Sequence, residues 1–461
     1  MSQELRLRHE WSRWTKLTVF LIICYMVFTR SFAYLGLPTI GLASIPLFVG
    51  EGALGAFLVL KPGASFRRWF AGLATHSVLT PVCWALYAFV IYGVFQALRG
   101  IVLEGYPVVV AVQSLVFNLY PFFFFLGLWV GLRSPDLLPR LVRWLAWFNA
   151  VYGVFYILAL SRLTLLNPGS PQVPLFTAPG ASVFAILGLL IYYQNPRRDL
   201  PLLIMNGLVL LGLQVRAFWV AFVAGVLVWG LVKHQFTRII GAAMALIVLL
   251  SVAFVLDVSL PATNEGRGEI SARNIIGAAL APIDEDLASE YTDAANRFSG
   301  TTEWRKDWWA GIWRSVHENP TTTLIGHGYG FPLSDVVTFI QGRSDLRTPH
   351  NIFFYALGYG GWIGIVLFGL LLTSLARLLW RSYRVSGDPF GLVILVMGYT
   401  IASFGNYLET PFGAIPFYLL LGLATTPALK ATDAERLDPT LLTEERHLVQ
   451  AIPQPSKSSV M

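Results

Sequence analysis

Apolar runs of about 17–25 residues, the length a helix needs to cross the hydrocarbon core of a bilayer, recur along almost the whole of this chain. They lie near 17–35, 41–60, 76–98, 107–132, 141–161, 178–194, 200–215, 217–232, 237–257, 351–376, 389–407 and 411–429. A water-soluble chain of 461 residues cannot hide that much apolar surface around one core, and 55% of the residues are hydrophobic while only 13% are charged. Within lipid every backbone polar group must be satisfied inside its own segment, which favours helices. The expected fold is therefore all-α, a polytopic bundle of about twelve transmembrane helices. Cys24 and Cys83 sit inside apolar runs and read as packing residues rather than a disulfide. No small-residue cleavage site follows the first run, which reads as a retained anchor.

Basic residues set the orientation. Alternate short loops carry Lys61, Arg67 and Arg68; Arg133, Arg140 and Arg143; Arg197 and Arg198; Lys233 and Arg238; and Arg377, Arg381 and Arg384. The N-terminal tail adds Arg6, Arg8, Arg13 and Lys16. The opposite loops hold only Arg99, Arg162 and Arg216, with Arg30 at the edge of the first run. Basic loops stay in the cytoplasm, so both termini are expected there, and the net charge of +7 reflects orientation rather than nucleic-acid binding. Residues 1–257 then hold spans one to nine, 258–349 form one large outer-face loop, 350–429 hold the last three spans, and 430–461 form a polar, disordered cytoplasmic tail.

The large loop contains "EWRKDWWAGIWRSV", in which Trp304, Trp308, Trp309, Ile312, Trp313 and Val316 recur at helical spacing. That pattern predicts an amphipathic helix on the membrane surface or across the bundle mouth. Three outer-face residues are candidates for chemistry. Arg216, flanked by apolar sequence, either snorkels or clamps an anion with its rigid guanidinium fork. Arg305 belongs to a solvated charged face or joins Arg216 in that clamp. His350 is an interfacial histidine or a general base. "TPHN" suggests a helix start capped by Thr348, with His350 in the first turn.

Other features have plainer accounts. Gly360 and Gly364, with Gly358 and Gly361, form a small face that lets another helix approach. "GHGYG" at 326–330 reads as a tight turn, since it lacks the lysine of a nucleotide loop, and His327 is a weak site candidate. Asp284, Glu285, Asp286 and Glu290 could hold a cation or form a solvated face. No zinc-type His/Cys spacing occurs, and neither a metal nor a cofactor is expected. Glu51 and Glu409 are carboxylates at membrane level without an assigned partner.

His350 and Asn351, then nine residues, then Gly361-x-x-Gly364, resemble the signature of the bacterial O-antigen ligase and O-antigen polymerase family. "EWRKDWWAGIWRSVHENPTTTLIGHGYG" is similar to that family's loop segment, and "QVRAFW" to its arginine at the outer end of a mid-chain helix. The resemblance runs from about Gly207 to Gly364. It implies a bundle of about a dozen helices with one large periplasmic loop, in the bacterial inner membrane, with the active site facing the periplasm. It also implies transfer of a glycan from a polyprenyl-pyrophosphate donor to a lipid or glycan acceptor. Arg216 and Arg305 would bind the pyrophosphate, His350 would be catalytic, and Asn351, Gly361 and Gly364 would support it. Where ligases carry a threonine pair after the second glycine, this chain has Ile365 and Val366. That departure leans toward a polymerase and leaves both activities open. Direct, inverting displacement needs no metal, because the donor carries its own leaving group. A transporter or flippase of lipid-linked oligosaccharide is the alternative. It requires the key residues near the midplane, whereas a transferase gathers them at the outer mouth.

Overall fold

A computed structural model describes residues 13–35, 49–59, 70, 72, 77–168, 170–193, 195–263, 268–281, 283–293, 295–342 and 348–437. Its helices are, in chain order, α1 (Arg13–Val27), α2 (Thr29–Tyr34), α3 (Val49–Val59), α4 (Thr80–Val102), α5 (Val108–Leu119), α6 (Phe122–Arg133), α7 (Leu137–Leu158), α8 (Ser182–Ile191), α9 (Pro196–Gly212), α10 (Arg216–Lys233) and α11 (Phe236–Val255). Then come α12 (Ala272–Leu280), α13 (Glu285–Ser289), α14 (Ala295–Val316), α15 (Pro320–Ile325), α16 (Ile352–Ser386), α17 (Phe390–Phe404), α18 (Pro411–Ala424) and α19 (Thr426–Leu437). Two short antiparallel ribbons, 166–167 with 170–174 and 259–260 with 270–271, are the strands among the described residues.

Six stretches of the described chain are long and apolar enough to cross a membrane: Thr80–Val102, Val108–Arg133, Leu137–Leu158, Arg216–Lys233, Ile352–Ser386 and Pro411–Thr432. α8 and α17 are apolar but shorter. The protein is thus an all-α membrane protein. The run read at 17–35 divides at Phe28 into α1 and α2. Of the run at 41–60 only Val49–Val59 is described, and Arg6, Arg8, Lys61, Arg67 and Arg68 lie outside the described residues. Helix α19 continues to Leu437, beyond which the polar tail is also outside them.

The hydrophobic centre is α18. In the Pro411–Thr432 stretch 83% of the most apolar window is buried, against 22% for Arg216–Lys233, so the former is wrapped by other helices and the latter presents much of its surface outward. α18 packs on α1, α6 and α17. Contact with α6 is backbone to backbone: a side chain on Gly127 would strike the Leu419 carbonyl, and one on Gly422 the Phe124 carbonyl. α10 and α17 run antiparallel. Lys233 and Val232 accompany Gly387 and Tyr383 at one end, and Gly225 meets Met397 midway. Arg216, at the other end of α10, therefore stands level with Phe404.

The expectation of an uninterrupted helix over 351–376 fails at Gly361. Its backbone sits at φ 59° and ψ −161°, a conformation essentially reserved for glycine. In a straight helix Gly364 would stand about 12 Å along the axis from Ala356. A Cβ at Gly364 would instead lie 3.1 Å from the Ala356 carbonyl oxygen, so the helix bends sharply here. The turn at 325–329 inserts beside the break. His327 and Gly328 backbone N–H groups donate to the carbonyls of Gly358 and Tyr359, at 2.9 and 3.1 Å. One face of α4 holds both pieces: Tyr92 donates to the Gly360 carbonyl (2.6 Å), Gln96 to that of Ile325 (2.7 Å) and Arg99 to that of Gly326 (2.7 Å). The glycines at 360 and 364 do admit a neighbour, the Tyr92 ring, but Gly361 serves the break rather than a helix–helix seam. "GHGYG" is a tight turn, as its composition suggests, and it closes on that break.

Candidate functional site

The amphipathic helix expected in the large loop forms as α14. Trp308, Ile312 and Val316 are fully buried, and the Trp308 indole donates to the Leu333 carbonyl at 2.6 Å. α14 packs on α16, so its charged residues on the adjoining turn reach the segment that begins α16. The Trp309 indole donates to the Pro349 carbonyl at 2.7 Å and ties the two together.

His350 does not occupy the first turn of its helix, and Thr348 is not the cap. Asn351 is the N-cap, accepting from the Phe353 and Phe354 N–H groups at 2.9 and 3.3 Å. An asparagine oxygen reaches the free N–H groups of a first turn well, and that places His350 one residue outside the helix. There its backbone takes a left-handed conformation, φ 55°. Such a conformation costs roughly 1–2 kcal/mol for an L-residue and persists only where the surroundings impose it.

The imidazole is oriented from both sides. Its Nδ1 lies 3.0 Å from the Thr348 carbonyl oxygen, which only accepts, so Nδ1 carries the proton. Nε2 then holds the lone pair, and the Asn406 amide donates to it across a long 3.4 Å. Trp304 meets the ring edge-on, with centroids 5.9 Å apart. Burial, with Arg305 and then Arg30 nearby, holds His350 down at about 4, while the Thr348 hydrogen bond opposes them. The imidazole is neutral at pH 7, with Nε2 ready to accept a proton.

Arg305 donates through Nη1 to the Phe404 carbonyl at 3.0 Å and stands 5.7 Å from the Trp304 ring centroid. Its Nε is buried with no hydrogen-bond partner among the described residues, and burial lowers its pKa. The other arginine whose charge acts on His350 is Arg30, exposed at the start of α2 and 6.0 Å from the Phe412 ring centroid. Arg216 is the first residue of α10, where the free N–H groups add positive potential to its own charge. Arg305 and His350 are in electrostatic contact, and Arg216 stands at the same end of the bundle.

Sequence reading missed two members. Arg30 was visible as a basic residue on the wrong side of the charge pattern, but nothing said that it would meet a histidine 320 positions later. Asn406 gave no signal at all. The segment 404–412 touches each part of the site: Phe404 meets Arg305, Asn406 meets His350 and Phe412 lies under Arg30. Backbone strain collects here too. Of the described non-glycine residues with positive φ, Thr29 adjoins Arg30, Gln214 lies two before Arg216, and His350 is the third, leaving His234 and Asp257 elsewhere. For β-branched Thr29 this is a true outlier.

The acidic run of the loop behaves differently. Asp284 caps α13 by accepting from the Leu287 N–H, and among the described residues no three His, Cys, Asp or Glu side chains gather as metal ligands would. The other histidine flagged at sequence level, His327, stacks on Phe331 and shares a 3.0 Å hydrogen bond with Ser315.

Residues 201–369 match the family model described as O-antigen ligase. It is this part of the chain, rather than its whole length, that is similar to the O-antigen ligase family. Arg216, Arg305, His350, Asn351, Gly361 and Gly364 all fall within the matched span, whereas Arg30 and Asn406 do not. No curated protein matches the chain. With six membrane-length helices among its described residues, the protein is a multi-pass membrane protein whose residues 201–369 are similar to O-antigen ligases.

Proposed function

We propose that the protein transfers a glycan from a polyprenyl-pyrophosphate donor to an acceptor hydroxyl at the outer, periplasmic face of the inner membrane, with both termini in the cytoplasm. One observation carries the reading: a neutral imidazole with an available Nε2 sits against two arginines that form no ion pair with a carboxylate among the described residues. Nε2 takes the proton of the acceptor hydroxyl. The oxygen attacks the anomeric carbon, the bond to the pyrophosphate breaks with inversion, and polyprenyl pyrophosphate leaves with the electron pair. Arg305 and Arg30, with Arg216 and the N-terminus of α10, offset the charge on the departing group.

The same arginines couple donor binding to base strength. Beside burial, which is the larger cause, their charges depress His350. A bound pyrophosphate offsets them and raises the imidazole's proton affinity, so the base strengthens when the donor is in place. Asn351, Gly361 and Gly364 act through geometry, the first by ending the helix so that His350 stands free and the glycines by letting the half-helix fold back.

The placement favours a transferase over a flippase, because Arg30, Arg305 and His350 gather at one end of the bundle rather than at its midplane. Purified protein incubated with a polyprenyl-pyrophosphate oligosaccharide as the only glycan tests the reading. A product ladder that disappears in His350→Ala supports a polymerase. Product that forms only with an added lipid acceptor supports a ligase. A His350→Ala protein with wild-type turnover overturns the base assignment.

A further inference from the structure

The segment 404–412 carries two buried oxygens that nothing among the described residues satisfies. Asn406 turns its amide N–H toward His350, and its Oδ1 is buried without a hydrogen-bond partner among the described residues. Three residues on, Glu409 folds one carboxylate oxygen back to the Tyr407 N–H at 3.1 Å. Its other oxygen, Oε1, is also buried and unpartnered. Glu409 lies close to Tyr355, one turn into the half-helix that His350 precedes, and stands between two contacts of the site, Asn406–His350 and Phe412–Arg30. A buried acceptor left unpaired costs about 1–3 kcal/mol, more when charged, so two so close together call for a bound donor.

The chemistry of that donor is narrow. A cation is disfavoured, because Asn406 touches the His350 on which Arg305 and Arg30 act, and among the described residues no three His, Cys, Asp or Glu side chains gather as metal ligands would. An anion is repelled by a carboxylate and an amide oxygen. Neutral O–H groups fit both oxygens, and a sugar presents several in a row.

Resting on the transferase reading, we propose that Asn406 Oδ1 and Glu409 Oε1 accept hydrogen bonds from hydroxyls of the acceptor sugar and so aim the attacking hydroxyl at His350 Nε2. The segment is then the acceptor subsite, beside the arginines that take the pyrophosphate. Burial pushes Glu409 up to about 7, and hydroxyl donors on Oε1 would favour its charged form. Both residues lie outside the span that the family model matches.

Two ligands separate the halves of the site. One is the free oligosaccharide released by mild acid from the lipid-linked glycans of the source cell, with neither lipid nor phosphate. The other is polyprenyl pyrophosphate without glycan. Binding of each to the full-length protein in nanodiscs is measured for wild type, Asn406→Ala, Glu409→Ala and Arg305→Ala. The expected result is an affinity loss of about 10-fold or more for the oligosaccharide in the first two variants, with polyprenyl pyrophosphate bound as in wild type. Arg305→Ala should show the reverse. Oligosaccharide binding that is unchanged in both Asn406→Ala and Glu409→Ala overturns the proposal, as does an equal loss of both ligands in variants that melt like wild type. Should either variant fail to fold, a permethylated oligosaccharide tested on wild type decides, because its hydroxyl donors are gone. Tight binding of that ligand overturns the proposal, and loss of binding supports it. A wild-type protein that binds neither ligand instead removes the transferase reading.

Discussion

His327 and His350 are held down to the same value, about 4, by the same causes, burial and nearby arginine, yet their surroundings differ in kind. His327 stacks face to face on Phe331 at 4.2 Å, shares a 3.0 Å hydrogen bond with Ser315, and sits in a turn clamped by a buried Arg99 that donates to Gly326. His350 has its Nε2 only loosely engaged, its backbone left-handed, and two arginines beside it, one exposed. A depressed histidine is therefore a sign of burial near positive charge, not of catalysis. What separates the two is the state of the ring nitrogen and of the cations: engaged in the first, available in the second.

The sharpest way to break this contrast is to remove each ring. His350→Ala should reduce transfer by about 10²–10⁴-fold, the usual worth of a general base, while donor binding persists. His327→Ala should act on the fold instead, lowering stability by about 1–3 kcal/mol through the lost stacking and hydrogen bond, with turnover of the folded fraction within a few-fold of wild type. Turnover assays beside thermal melts check both. Equal kinetic losses would erase the distinction.

The arginines come next. Arg305→Ala should weaken donor binding by about 10–100-fold, the range for one charged hydrogen bond lost. Arg99→Met should leave donor affinity near wild type and lower the melting temperature, since Arg99 secures the 326–328 turn rather than a ligand. Titration with polyprenyl pyrophosphate distinguishes them.

A subtler effect concerns pH. His350 works as a base when neutral, so rate falls as pH drops through its pKa. For the free enzyme, reported by kcat/KM, that fall should centre near about 4. For the donor complex, reported by kcat, the bound pyrophosphate offsets Arg305 and Arg30, and the fall should lie at higher pH. Arg305→Ala should move the kcat/KM limb upward by relieving the same repulsion. Coincident limbs in wild type would show that the donor and His350 are not coupled. No variant at His327 should move either limb.

The smallest expected effect tests the clamp itself. Tyr92→Phe removes the hydrogen bond to Gly360 and should cost about 1 kcal/mol of stability, with little change in turnover. A large kinetic loss without destabilisation would mean that α4 helps to position His350 through the break at Gly361.

Much of this was legible in the residues. Apolar runs of bilayer length made an all-α membrane protein unavoidable, because lipid leaves the backbone no other way to satisfy its polar groups. The spacing of Trp304, Trp308, Trp309, Ile312, Trp313 and Val316 predicted α14; the helix fully buries Trp308, Ile312 and Val316 but leaves Trp313 exposed. "RTPHN" marked a helix start beside a histidine. Yet the choice between Thr348 and Asn351 as cap fell to the geometry of the chain arriving at the helix, which no local pattern encodes. Gly361 was read by the rule for helix packing. Its actual conformation depends on the 325–329 turn that wedges against it, a partner some 30 residues away.

The sequence by itself determined that this is an all-α membrane protein and which residue types could do chemistry, because hydrophobicity, helical period and charge are local properties. Only the tertiary structure decided which of those residues meet. Arg30, Arg305, His350 and Asn406 come from four separate elements, and their convergence rests on the crossing of α14 over α16 and on the sharp turn at Gly361. The loop between α17 and α18 supplies Asn406, and that meeting too is set by packing rather than by pattern. Likewise, two histidines that are both depressed by burial and nearby arginine become one structural and one available residue through what touches their ring nitrogens, and contacts between distant positions are written in the fold.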